Sequence, residues 1–123
     1  MIRKNAFDAM LLEMGKSLEK IERTLRILQV ILNSQPIGIS RLSDATGLPV
    51  HVVRYSLRLM QRDGIIEPSK AGAIVSPEFL DRRSILIDSI RKMSERVDAL
   101  KTMSETLLSG HVERKRVAEK EDP

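Results

Sequence analysis

Apolar residues recur at alternating spacings of four and three from the start of the chain: Phe7, Leu11, Met14, Leu18, Ile21, Leu25, Leu28 and Leu32. A period near 3.5 sustained this long predicts one continuous helix whose apolar seam faces another helix, in a coiled coil or a bundle. Gly15 is its weakest position, costing about 1 kcal/mol relative to alanine. The pattern ends at Asn33-Ser34-Gln35-Pro36, where proline and the restriction it places on the preceding residue disfavour helix.

A second long helix is predicted from Ser76-Pro77-Glu78. Ser76 can cap free amides, Pro77 suits the first helical position, and Glu78 complements the positive end of the helix dipole. Its seam runs through Phe79, Leu86, Ile90, Met93, Val97, Leu100 and Leu107, with Arg83 and Ser104 at two of the heptad positions. Gly110 marks the expected end. Residues 111–123 have no apolar period and read as a charged, frayed or disordered tail.

Between the two long helices the pattern shortens. Ile37-Gly38-Ile39 reads as a minimal strand, and Ser40 as the cap of a short helix from Arg41 to Thr46 with Leu42 and Ala45 inward. Gly47 closes that helix, and Leu48-Pro49 opens a third that runs to Asp63-Gly64. Ile65-Ile66-Glu67 and Ala73-Ile74-Val75 read as strands, joined by a hairpin tip at Pro68-Ser69-Lys70-Ala71-Gly72 with Lys70 exposed.

The third helix divides into two arcs. At 100° per residue Val53, Leu57 and Met60 fall within about 60° of one another, with Val50 beside them. His51, Arg54, Tyr55, Arg58 and Arg62 span about 100° on the other side, flanked by Val52 and Leu59. Charge sharpens this contrast. The net +4 is shared equally by residues 1–35 and 36–76, and the remainder is neutral. From Pro49 to Arg62 there are three arginines and a histidine but no carboxylate.

The run Ile39-Ser40-Arg41-Leu42-Ser43-Asp44-Ala45-Thr46-Gly47-Leu48-Pro49, then Val53, Leu57 and Met60, then Gly64-Ile65-Ile66, resembles the winged helix-turn-helix domain of small prokaryotic, including archaeal, transcription regulators. The likeness covers about 50 residues, from Thr24 to Val75, and is a family-level pattern of spacings and a turn glycine. It implies a mainly α fold. Residues 1–23 extend a long dimerisation helix, 24–76 form the winged domain, 77–110 a C-terminal dimerisation helix, and 111–123 the tail. The positions beside the second seam (Ile87, Ser89, Ser94, Arg96, Lys101 and Met103) lack the matched charges of a two-stranded zipper, which favours a helical bundle between two subunits.

The resemblance implies sequence-specific binding of double-stranded DNA by a homodimer, in transcription regulation. The third helix would enter the major groove, where arginine can donate twice to guanine. His51, Arg54 and Tyr55 would lie deepest, Arg58 and Arg62 would reach phosphates, Arg41 would approach the backbone, and Lys70 would touch a neighbouring groove from the wing tip. An interaction module or a chromatin-associated architectural protein is the alternative, with the long helices docking a partner.

The remaining composition removes other classes. With no cysteine there is no disulfide, thiolate zinc site or thiol catalysis. Two histidines sixty residues apart have no ligand spacing, so no metal or cofactor is expected. No phosphate loop, nucleophile elbow or acid pair is present, so the chain does not read as an enzyme. The six methionines follow apolar spacings and read as packing. Without tryptophan, a stacking platform for single-stranded nucleic acid is not expected. No apolar run approaches the ~20 residues of a membrane span, which points to a soluble, cytoplasmic protein. No small-molecule effector is marked.

Overall fold

The computed structural model describes residues 5–121, with side chains described for 5–109. It is mainly helical, with one small antiparallel sheet. The order is α1 (Ala6–Ser34), α2 (Ile39–Thr46), α3 (Val50–Arg62), β1 (Ile66–Ser69), β2 (Gly72–Val75), α4 (Pro77–Asp81) and α5 (Arg83–Glu121). The chain divides into two units between Asp81 and Arg82.

Helix α1 begins with a capping box that the heptad pattern does not reveal. The Asp8 amide donates to Asn5 Oδ1 at 2.9 Å, and the Asn5 amide donates back to Asp8 Oδ2 at 3.3 Å. Two otherwise unsatisfied amides are thereby paired. The helix ends at Ser34, as Pro36 requires. Gln35 then ties this end to the sheet, its Oε1 accepting from the Val75 amide at 2.8 Å.

The core of the first unit is Ile27, Leu28, Ile31, Ile37, Leu42, Val53, Met60, Ile66 and Val75, with Phe79 and Leu80 of α4 packed against it. Of α1, only Ile27, Leu28 and Ile31 are buried, and two of these lie off the heptad seam. On a helical projection the buried face and the seam are roughly 100° apart. The seam from Phe7 to Ile21 is therefore left uncovered within the first unit, whereas Leu25 packs against the core and Leu28 belongs to it. Phe7 is 62% exposed, Leu11 48% and Leu18 51%, and Leu32 at the far end is also exposed.

The turn between α2 and α3 is closed by three local bonds. Ser43 Oγ donates to the Leu48 carbonyl and Thr46 Oγ1 to the Leu42 carbonyl, each at 2.6 Å, while the Leu48 amide donates to Thr46 Oγ1 at 3.3 Å. Gly47 takes the left-handed conformation (φ 73°) that its place after a helix predicts.

Several sequence expectations shift. Helix α2 starts at Ile39 with Gly38 as cap, so Ser40 lies inside the first turn, and Ala45 is exposed. The strand expected at Ile37-Gly38-Ile39 shrinks to one residue, Ile37, which exchanges two bonds with Ala73 at 3.2 and 2.8 Å. In the hairpin, Ile66 pairs with Val75 and Ser69 with Gly72, leaving only Lys70 and Ala71 in the turn. Pro68 and Ser69, read as loop, belong to β1. Proline is tolerated there because this strand pairs on one side only. Gly72 explains the tight fit of the three segments. Its φ is 135°, and an added Cβ would lie 2.4 Å from the Ile37 carbonyl carbon and oxygen.

The long C-terminal helix is interrupted. Arg82 forms a turn between α4 and α5, with its carbonyl accepting from Ile85 at 3.1 Å. Neither proline nor glycine marks the place, and nothing in the structure accounts for the break. Helix α5 continues past Gly110 to Glu121. A lone glycine weakens a helix by about 1 kcal/mol without ending it, and the residues beyond are mostly good helix formers. Side chains of the charged tail, His111 included, lie outside those described. The α5 residues Met93, Val97, Leu100, Met103 and Leu107 are exposed.

Candidate nucleic-acid interface

Helix α3 is held by Val53, Ser56 and Met60, all buried, with Leu57 only half-buried. The inward face is thus turned by about 30° from the expected Val53-Leu57-Met60 face. Val50, placed beside the core by sequence, is exposed. Hydropathy favours Leu57 over Ser56, but the small serine faces α1, whereas Leu57 lies under the groove between α3 and the hairpin. Met60→Ala is therefore expected to cost about 2–5 kcal/mol in urea denaturation, and Leu57→Ala less. Tyr55→Ala should stay within about 0.5 kcal/mol.

This rotation sets the cationic arc diametrically opposite the core. His51, Arg54, Tyr55, Arg58 and Arg62 are all exposed, with Tyr55 at 56%. Two grooves border the arc. One, of about 340 Å³, separates α3 from the hairpin; Arg54 and Arg58 stand on its rim above Ile39, Leu57, Ile66 and Pro68. The other, of about 230 Å³, separates α3 from α1 and brings Tyr55, Leu59 and Asp63 opposite Lys20, Arg23 and Thr24.

The remaining predicted residues are dispersed around this centre. Arg41 is exposed on α2 and Lys70 in the hairpin turn, and neither lines either of these two grooves. Arg62 is engaged by its neighbour, Nε lying 3.2 Å from Asp63 Oδ1, an exposed pair that contributes little to stability. Arg41, Arg54, Arg58 and Lys70 have no ion-pair partner among the described residues. Glu67 lines the same groove as Arg54 and Arg58 without pairing with either. By sequence Lys20 and Arg23 read as surface ion-pairing with Glu19 and Glu22, a few tenths of a kcal/mol each, but neither has an ion-pair partner among the described residues. Their spacing from Ile27 is the signal that finds them, since residues four and seven apart share a face.

Among the described residues no group of three or more His, Asp or Glu side chains could hold a metal. No helix among them is long and apolar enough to cross a membrane. No protein-family model matches the chain, and no curated protein matches its sequence.

Proposed function

We propose that this protein is a winged helix-turn-helix regulator that binds double-stranded DNA as a homodimer. In this reading α1 to α3 and the β1–β2 hairpin form the winged domain, and α3 is the recognition helix. The observation that carries it is the carboxylate-free arc of α3, exposed over its whole length and opposite the helix's buried face. Such an arc fits a major groove, with Arg54 aimed at base edges and Arg58 and Arg62 at phosphates. Arg41 and Lys70 add backbone contacts from either side.

The second subunit follows from the uncovered α1 seam. The exposed apolar stripe from Phe7 to Ile21 exceeds what a soluble monomer ordinarily exposes, and its own 4-3 repeat suits a second copy of itself. Two-fold symmetry then calls for a roughly palindromic site with half-sites about one helical turn apart, or a multiple of it. Compartment and regulated genes belong to the same proposal: a cytoplasmic transcription regulator. The uncovered seam also suits the alternative, an interaction or chromatin-architectural module whose helices dock a different protein.

Titrating the purified chain against mixed-sequence duplex DNA at two salt concentrations separates these. The regulator binds, with a log–log salt slope near −7 if Arg41, Arg58, Arg62 and Lys70 of both subunits neutralise phosphates, at roughly 0.9 per contact. The interaction module shows no duplex binding even at low salt.

A further inference from the structure

Helix α1 has two unlike sides above the core. Its apolar seam is one. On the nearly opposite side, Lys16, Lys20 and Arg23 follow one another at spacings of four and three, and Ile27 continues the same line into the core. Because Ile27 is fully buried, the rotation of α1 is locked, and the line of cations must run along the flank that borders α3. The groove of about 230 Å³ shows where it leads: Lys20 and Arg23 stand opposite Tyr55 and Leu59, on the side of α3 away from the hairpin.

Charge in this groove is uneven. Lys16 pairs with Glu13 at 3.5 Å and does not line the groove. Asp63, the carboxylate that lines the groove, is taken up by Arg62. Lys20 and Arg23 have no ion-pair partner among the described residues, and Arg23 is half-buried, which restricts where its guanidinium can go. Two cations next to the exposed Tyr55 thus continue the α3 arc onto a second helix.

We propose that Lys20 and Arg23 form a second phosphate-binding site, gripping the duplex backbone on the α1 side of the recognition helix while Arg54, Arg58 and the hairpin serve the other side. The inference rests on the DNA-binding reading and extends it, since no part of that reading requires α1 to touch DNA. A duplex seated on α3 is flanked by one groove on each side, and each is bordered by two cations and a single carboxylate, Glu67 on the hairpin side and Asp63 on the α1 side. Backbone contacts of this kind set register and orientation without reading sequence.

The test is the salt dependence of duplex binding by the full chain and its variants. The double variant Lys20→Gln/Arg23→Gln should flatten the log–log slope by about 1.8 per bound chain, alike on preferred and random duplexes. Lys20→Gln alone, at an exposed position, should flatten it by about 0.9 with no change in melting temperature, which separates lost contact from lost folding. Arg26→Gln, on the same helix but lining neither groove, should leave the slope unchanged. If the unaltered chain binds and Lys20→Gln keeps its full slope, the α1 site is overturned and the α3 reading stands. An equal flattening by Arg26→Gln also overturns the site, because a diffuse field would explain both. If the unaltered chain binds no duplex at low salt, the DNA reading and this extension fall together.

Discussion

Replacing Arg54 and Arg58 together by alanine is expected to abolish preference for a specific duplex while leaving the fold intact. Both side chains are exposed on the arc opposite Val53, Ser56 and Met60, so their removal opens no cavity. Surface changes of this sort stay within about 0.5 kcal/mol of stability. The two arginines serve different contacts and should be separable. In the proposed complex Arg54, nearer the start of α3, reads a base, and a bidentate pair with guanine is worth about 1–3 kcal/mol of discrimination. In the same proposal Arg58, one turn on, grips phosphate, and its loss should weaken all sequences alike and flatten the salt slope by about 0.9 per chain. Competition binding between a selected duplex and a scrambled one measures the first effect, and a salt series measures the second. Unchanged specificity and slope in the double variant would remove α3 from the interface.

Leu11→Asp combined with Leu18→Asp is expected to convert a dimer into monomers. These leucines are about half exposed within one chain and lie on the seam roughly 100° from the core face of α1. The core cluster of the first unit contains neither. Full burial of a leucine against a second copy contributes about 1.5–3 kcal/mol of transfer free energy, and the two sites recur in each subunit. Placing carboxylates there removes that gain and adds desolvation of charge. Sedimentation should show the loss of the dimer, and the denaturation transition of the core should survive. Duplex affinity should fall steeply with it, because two tethered recognition helices act at high effective concentration and one does not. A well-folded monomer at micromolar concentration for the unaltered chain would overturn the homodimer, and with it the requirement for a palindromic site.

Much of the secondary structure was legible locally, because its causes are local. Pro36 ends α1, Gly47 ends α2, Leu48-Pro49 precedes α3, and residues 66–75 form a hairpin in which Lys70 is exposed. Each depends on backbone freedom or hydrogen-bonding capacity carried by the residue itself. The heptad from Phe7 to Leu32 likewise requires only the 3.6-residue turn of a helix. The errors cluster where short and long patterns meet: a strand read at Ile37-Gly38-Ile39 that is one bridging residue, and a single C-terminal helix that breaks at Arg82.

By itself, then, the sequence determined the order of α1, α2, α3 and the hairpin and that a long helical segment follows them. It also determined the exposed arc of His51, Arg54, Tyr55, Arg58 and Arg62, and that an apolar seam exists on α1. Only the tertiary structure decided which face of each helix the core takes. It took Ser56 rather than Leu57 on α3, because closeness between helices depends on side-chain size as well as hydropathy, and on α1 it took Ile27 and Ile31 with only Leu28 of the seam. From that choice follow the two features no periodicity could supply: the seam from Phe7 to Ile21 left uncovered within the first unit, and Lys20 and Arg23 set opposite Tyr55 across a groove. Residues over thirty positions apart become neighbours only when packing fixes the rotation of both helices, and that is a property of the assembled core rather than of either segment.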